Sequence, residues 1–245
     1  MKLLKTVVGS ALLAAAATVS AVPVTLNVVD AQWANHTGGT NVEYRDGGKE
    51  IRWGGNTSYT KKSGYRFDEA DNLPLTFQSG ESFVLGTFTH INQEIPSGSA
   101  ISSATLNLSV ELDILGQALT EGPYNFSFTH NETLNNACSG WFFFWCVSYN
   151  GPVNDIVELD TSFLSDEFIV DSYAFSLEII GFQDMNTQAI TDELSTKEGQ
   201  KTSAQILARL NVRDLPREVP EPASIALLGI ALAGMVVLRR RKEAA

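Results

Sequence analysis

Between Ala104 and Ile114 the chain alternates without a break: Ala104, Leu106, Leu108, Val110, Leu112 and Ile114 are separated by Thr105, Asn107, Ser109, Glu111 and Asp113. A period of two sends one set to each face of an extended strand, so this stretch must lay one face on a core and the other in water. A helix would scatter the same residues around its axis. The pattern recurs. Tyr124, Phe126, Phe128 and His130 alternate with Asn125, Ser127, Thr129 and Asn131, and Ile206, Ala208, Leu210 and Val212 with Leu207, Arg209 and Asn211. From Phe168 onward the inward set reads Ile169, Tyr173, Phe175, Leu177 and Ile179. Val24 to Val29 and Phe83 to Ile91 are further strands, and clusters of Gly, Asn, Asp and Ser mark the turns between runs. Thr187 to Thr196 is the only internal stretch with any helical character, a loop being its alternative. The expected fold class is all-β, an antiparallel β-sandwich, jelly-roll-like, with one solvated face per sheet; a closed barrel is the second choice.

The two ends obey other rules. Lys2 and Lys5 precede a small-apolar run from Val7 to Val19, and Val19-Ser20-Ala21 has the form of a cleavage site. Residues 1–21 therefore read as a signal peptide, which implies export through the Sec translocon. At the other end Ala223 to Leu238 carries no charge over sixteen residues and stops at Arg239-Arg240-Arg241-Lys242. Sixteen helical residues reach about 24 Å, short of a ~30 Å hydrocarbon core, and snorkelling arginines or local thinning close the gap. The expected organisation is a single β-sandwich domain over 22–215, a linker over 216–222, a transmembrane helix over 223–238 and a basic cytoplasmic tail over 239–245. The domain stays outside the membrane, as the positive flank requires. The full chain has 28 acidic and 17 basic residues, a net charge of −11. That excess excludes a non-specific nucleic-acid binder.

Val219, Pro220, Glu221 and Pro222, then a short apolar helix containing Gly229 and Gly234, then Arg239 to Lys242, closely resemble the PEP-CTERM sorting signal. The resemblance implies recognition and processing by an exosortase, transient anchoring in the inner membrane, and delivery to the cell surface or extracellular matrix. The interior carries a second resemblance. Trp33-Ala34-Asn35 precedes Gly38-Gly39; Glu50-Ile51-Arg52-Trp53-Gly54 and Ser63-Gly64-Tyr65-Arg66-Phe67 follow; the densest match is Phe83 to Asn92. Together they resemble the THxN family of PEP-CTERM proteins, whose motif falls on Thr89, His90 and Asn92. Asn131-Glu132-Thr133 resembles the second half of that family, with Leu134 where the family has proline. This resemblance implies an exported domain and brings no activity with it.

Cys138 and Cys146 enclose Ser139-Gly140-Trp141-Phe142-Phe143-Phe144-Trp145. Their spacing fits neither a redox motif nor a zinc knuckle. Two cysteines in an exported chain are expected to form a disulfide, which on the chain-entropy model contributes ~2–3 kcal/mol for so short a loop. This insert stands apart from the family resemblance. Its aromatic run has two readings. Trp141 and Trp145 stack on sugar rings or on another copy, or Phe142 and Phe144 plug the end of the sandwich while the tryptophans half-cover it; the plug is the preferred expectation.

Of three histidines, His130 continues an apolar face and reads as a core residue, and His36 sits in a polar turn. His90 lies on the expected strand face of Val84, Phe88 and Asn92, opposite Thr87, Thr89 and Ile91, with Thr89 and Asn92 beside it. Those neighbours either fix its tautomer for a ligand or catalytic role or belong with it to a buried polar network that sets strand register. The network is preferred, because no second histidine stands at metal spacing. Glu111 with Asp113, the Asp68-Glu69-Asp71 cluster, and Asp166 with Glu167 read as solvated acidic faces. No metal site and no cofactor is expected, with calcium at one acidic loop the single option kept. Nucleophile-elbow, zinc-protease, phosphate-loop and dinucleotide motifs are absent, so no catalytic residues are assigned and an enzyme is not expected. The sequence reads as a surface-sorted structural or adhesive component of the envelope or exopolysaccharide matrix. A carbohydrate-binding module or weak-signature glycan-active enzyme is the alternative, and a calcium-dependent adhesin a third.

Overall fold

A computed structural model describes residues 21–55, 58–133, 138–149 and 154–216, with side chains throughout except at 138–142 and 146–149. Of the expected signal peptide over 1–21 all but residue 21, and the whole of the expected sorting motif, transmembrane helix and basic tail, lie outside the described residues.

The described chain is all-β and antiparallel, in two large sheets and a small hairpin. The first sheet runs in the order β15 (Glu193–Thr196), β11 (Asp155–Leu159), β8 (Gln117–Asn131), β7 (Ile101–Ile114), β1 (Pro23–Gly38), β5 (Leu75–Gln78). The second runs β12 (Phe168–Val170), β13 (Tyr173–Gln183), β16 (Lys201–Asp214), β6 (Ser82–Ile91), β4 (Ser63–Glu69), β3 (Glu50–Trp53), β2 (Glu43–Arg45), with β14 (Ile190–Thr191) added on β13. The hairpin joins β9 (Cys138–Phe142) to β10 (Trp145–Tyr149). The chain passes between the large sheets repeatedly, as in a sandwich.

The alternation in β7 sorts as the period demands, with Ala104 through Ile114 of the apolar set all buried. A two-residue turn at Leu115 (φ 55°) and Gly116 (φ 78°) returns the chain into β8. Both residues are left-handed, the geometry that matches the twist of the flanking strands. The strand that the alternation placed from Tyr124 therefore begins at Gln117, and a register shift opposite Leu108 and Val110 absorbs Gly122-Pro123.

Three expectations need correction. Val84 does not share the inward face of Phe88 and His90: Phe83 and Leu85 are buried while Val84 is not, because a bulge at Gly86 shifts the phase of β6. Ile169 does not point inward with Phe175. A turn at Asp171 (φ 56°) ends β12 and begins β13, leaving Ile169 66% exposed. Thr187 to Thr196 is neither helix nor plain loop, since it contains β14 and β15.

The sheets meet through one apolar core centred on aromatic rings. Trp33 of β1 packs on Tyr65 of β4 at 5.3 Å between centroids, and Phe88 of β6 stacks on Phe128 of β8 at 5.1 Å. Ring pairs of this kind add about 0.5–1.5 kcal/mol each beyond their buried area. Gly86 and Gly64 allow the close approach behind these rings. A Cβ on Gly86 would stand 2.4 Å from the Asp68 carbonyl oxygen, and one on Gly64 2.5 Å from that of Ile51.

Candidate functional site

The inward faces of the two sheets converge on a polar cluster at one end of the aromatic core. His90 lies near the end of β6, with Tyr65 of β4 and Thr202 of β16 as its strand partners. His130 lies near the end of β8, opposite Val157 of β11. Asp155 opens β11, opposite Thr196 of β15. All three are buried, and ligand-capable atoms of His90, His130 and Asp155 lie within 4.8 Å of one another. The imidazoles meet edge-on at 5.3 Å and 82°. Tyr65 packs against both, and Trp53 covers His130 at 5.2 Å.

Hydrogen bonds hold part of this cluster and leave part of it open. His130 Nδ1 is 2.8 Å from the Tyr65 hydroxyl, and its Nε2 is 3.2 Å from Glu132 Oε2. Asp155 Oδ1 accepts from the Thr133 amide at 2.9 Å and the Thr133 hydroxyl at 3.0 Å. By contrast, both ring nitrogens of His90 and Asp155 Oδ2 have no hydrogen-bond partner among the described residues.

Burial sets the protonation states. It is the main force lowering His90 well below the ordinary histidine range, with nearby His130 adding to it. Burial likewise brings His130 down to about 4, against the pull of Asp155. The same desolvation raises Glu132 to about 7 and Asp155 to about 6, with Glu198 adding to the first and Glu132 to the second. At neutral pH both imidazoles are thus neutral and offer lone pairs. The contact between His130 and Glu132 is then a hydrogen bond rather than an ion pair.

The residues singled out in sequence fall on both sides of the sheet. Thr89 points outward and shares a hydrogen bond with Ser203 at 2.8 Å. Asn92 donates from Nδ2 to the Thr196 carbonyl at 3.0 Å and so fastens β6 to β15 of the other sheet. Neither neighbour hydrogen-bonds to the ring nitrogens of His90, so Thr89 and Asn92 neither fix its tautomer, the alternative reading, nor join it in a hydrogen-bonded network, the preferred one. Its partners come instead from β8 and β11, too distant in sequence for a spacing argument. The available signal was the pair of motifs, Thr89-His90-Ile91-Asn92 and Asn131-Glu132-Thr133, whose spatial meeting neither motif reveals alone. His36 is exposed on β1, with Nδ1 2.6 Å from the Tyr44 hydroxyl.

The acidic clusters stay dispersed. Asp68 pairs with Arg66 at 2.6 Å, Glu69 with Lys49 at 2.7 Å and Glu167 with Arg213 at 2.6 Å, while Asp113 accepts from the Gly116 amide. Sequence reading missed a buried charged network on the outer face of the second sheet. There Arg52 bridges Glu50 and the Lys62 carbonyl, and Lys62 reaches Asn41 O and Glu43. A surface groove of about 460 Å³ lined by Glu121, Tyr124, Phe163, Asp166 and Phe168 shares no residue with the histidine cluster.

In the hairpin, Phe143 and Phe144 form a two-residue turn closed by the Phe142–Trp145 pair. Phe143, Phe144 and Trp145 are 80%, 90% and 74% exposed, so Phe144 does not plug the sandwich end as expected. The Trp141 side chain and the side chains of Cys138 and Cys146 lie outside the described residues. The backbone register sets Cys146 opposite Trp141 and Cys138 opposite Tyr149.

A family model described as the PEP-CTERM protein-sorting motif matches residues 218–242. It spans Val219 to Pro222, the apolar stretch, and Arg239 to Lys242. The chain therefore carries the signal of an exported protein that an exosortase processes and sorts to the cell surface. No curated protein matches the chain.

Proposed function

We propose that this chain is a non-enzymatic structural or adhesive component of the bacterial envelope or exopolysaccharide matrix, of the THxN type. The observation that carries the reading is the sorting motif at 218–242, attached to an acidic all-β domain. A signal peptide and a short membrane helix bring the domain to the outer face of the inner membrane. Exosortase processing then leaves it outside the cell. A net negative, hydrogen-bond-rich β-surface remains soluble among hydrated polymers.

The β9–β10 hairpin favours a more specific form of this role, a carbohydrate-binding module of the cell surface. Phe144 and Trp145 project into solvent, where flat rings stack on the apolar faces of sugars. The test compares the full-length protein with a Phe144→Ser/Trp145→Ala variant in the producing cell, by retention in the matrix fraction and by co-sedimentation with isolated exopolysaccharide. Glycan binding predicts about a tenfold loss in both, as for the removal of an interface anchor worth ~1.4 kcal/mol. Unchanged retention and co-sedimentation would contradict the sugar-binding role of the hairpin and leave a purely structural one.

A further inference from the structure

We propose that His90, His130 and Asp155, with Glu132 as a fourth ligand, form a closed site for one zinc ion that bridges the two sheets. Three observations lead to it. The first is geometric: ligand atoms of His90, His130 and Asp155 already lie within 4.8 Å of one another, and Glu132 Oε2 is 3.2 Å from His130 Nε2. Zinc binds nitrogen and oxygen at about 2.0–2.2 Å, which places tetrahedral neighbours about 3.3–3.5 Å apart. Side-chain adjustments of about 1 Å complete the site.

The second observation is the state of His90. It is fully buried, yet neither ring nitrogen has a hydrogen-bond partner among the described residues. A histidine retained only for packing or register satisfies at least one nitrogen, since a buried polar atom without a partner loses its hydration and gains nothing in return. Asp155 Oδ2 likewise accepts from no nitrogen or hydroxyl donor among the described residues, and the Glu132 carboxyl is the side chain of the cluster that interacts with Asp155. The open groups at the centre are predominantly acceptors, and an acceptor-rich pocket is completed by a cation.

The third is charge. Two carboxyl groups, Asp155 fully buried and Glu132 part-buried, stand beside the two imidazoles. A carboxylate ionised in such a place requires a compensating charge, which a bound cation supplies. The outer contacts fit the role too. With Nδ1–H donated to the Tyr65 hydroxyl, the His130 lone pair lies on Nε2, on the side of Glu132. Thr133 holds Asp155 Oδ1, leaving Oδ2 for the metal. Such outer-shell bonds orient metal ligands. Mixed imidazole and carboxylate donors in a closed, four-ligand pocket suit zinc in a structural role. Asn92 adds a direct tie between β6 and β15, so metal and motif would fasten the same end of the sandwich.

The experiment uses the tag-free full chain in detergent micelles, stripped with a chelator. Calorimetry with zinc chloride alone should give one site per chain, and zinc should raise the unfolding temperature. Cobalt chloride should give the visible bands of tetrahedral nitrogen and oxygen ligation. His90→Gln and Asp155→Asn should each weaken zinc at least a hundredfold, while His36→Ala binds as the parent does. The parent's cobalt spectrum stands as evidence even if a variant fails to fold. The proposal is overturned if the parent binds neither metal, if binding survives His90→Gln and Asp155→Asn, or if cobalt shows the intense near-ultraviolet band of thiolate ligation, which would assign the metal to Cys138 and Cys146.

Discussion

Single side chains at the core of this molecule do two jobs. Tyr65 fills the aromatic centre and holds His130 through its hydroxyl. Tyr65→Phe keeps the ring and deletes the bond, so it should leave the fold intact. Zinc binding by the positioned His130 should weaken about tenfold, the usual loss for an outer-shell partner, measured by the same calorimetric titration. Gly86 shows the opposite economy, in which the absence of a side chain is what matters. Its Cβ would collide with the Asp68 carbonyl and the Phe67 ring. Gly86→Ala should therefore cost about 2–3 kcal/mol in urea unfolding, as overpacking does. Phe88→Ala, which empties the stacked pair with Phe128, should cost about 3–5 kcal/mol in the same assay.

Among the elements, legibility followed local pattern. Alternation fixed the inward face of β7 because every second residue from Ala104 to Ile114 is apolar. It failed where one residue breaks the phase. The bulge at Gly86 moved Val84 to the wrong face, and the left-handed turn at Asp171 split a run that reads as continuous around Ile169. The histidine cluster was illegible for a different reason. His90, His130 and Asp155 enter from three strands of two sheets, so no spacing in the chain encodes their distance. The hairpin carries its own prediction. Phe143 sits at φ 54°, a conformation that costs a residue with a Cβ about 1 kcal/mol. Phe143→Gly should slow amide exchange in β9 and β10 about fivefold. Unchanged exchange there would show that the turn is not what limits the hairpin.

At the scale of the whole molecule, transport and fold divide the sequence between them. With cleavage just before Glu221, six of the 17 basic residues and two of the 28 acidic ones, Glu221 and Glu243, lie in the segments that export and sorting would remove, taking the net charge from −11 to −15 in the mature domain. The C-terminal end carries a sorting signal, and the alternating middle folds into a two-sheet core. A metal closing one end of that core would give an exported domain stability without any catalytic chemistry. The division of labour rests on processing at both ends, and the intact mass of the protein recovered from the cell surface tests it most directly. The account predicts a species beginning near Val22 and ending near Glu221. A surface form that still contains Arg239 to Ala245 would contradict it.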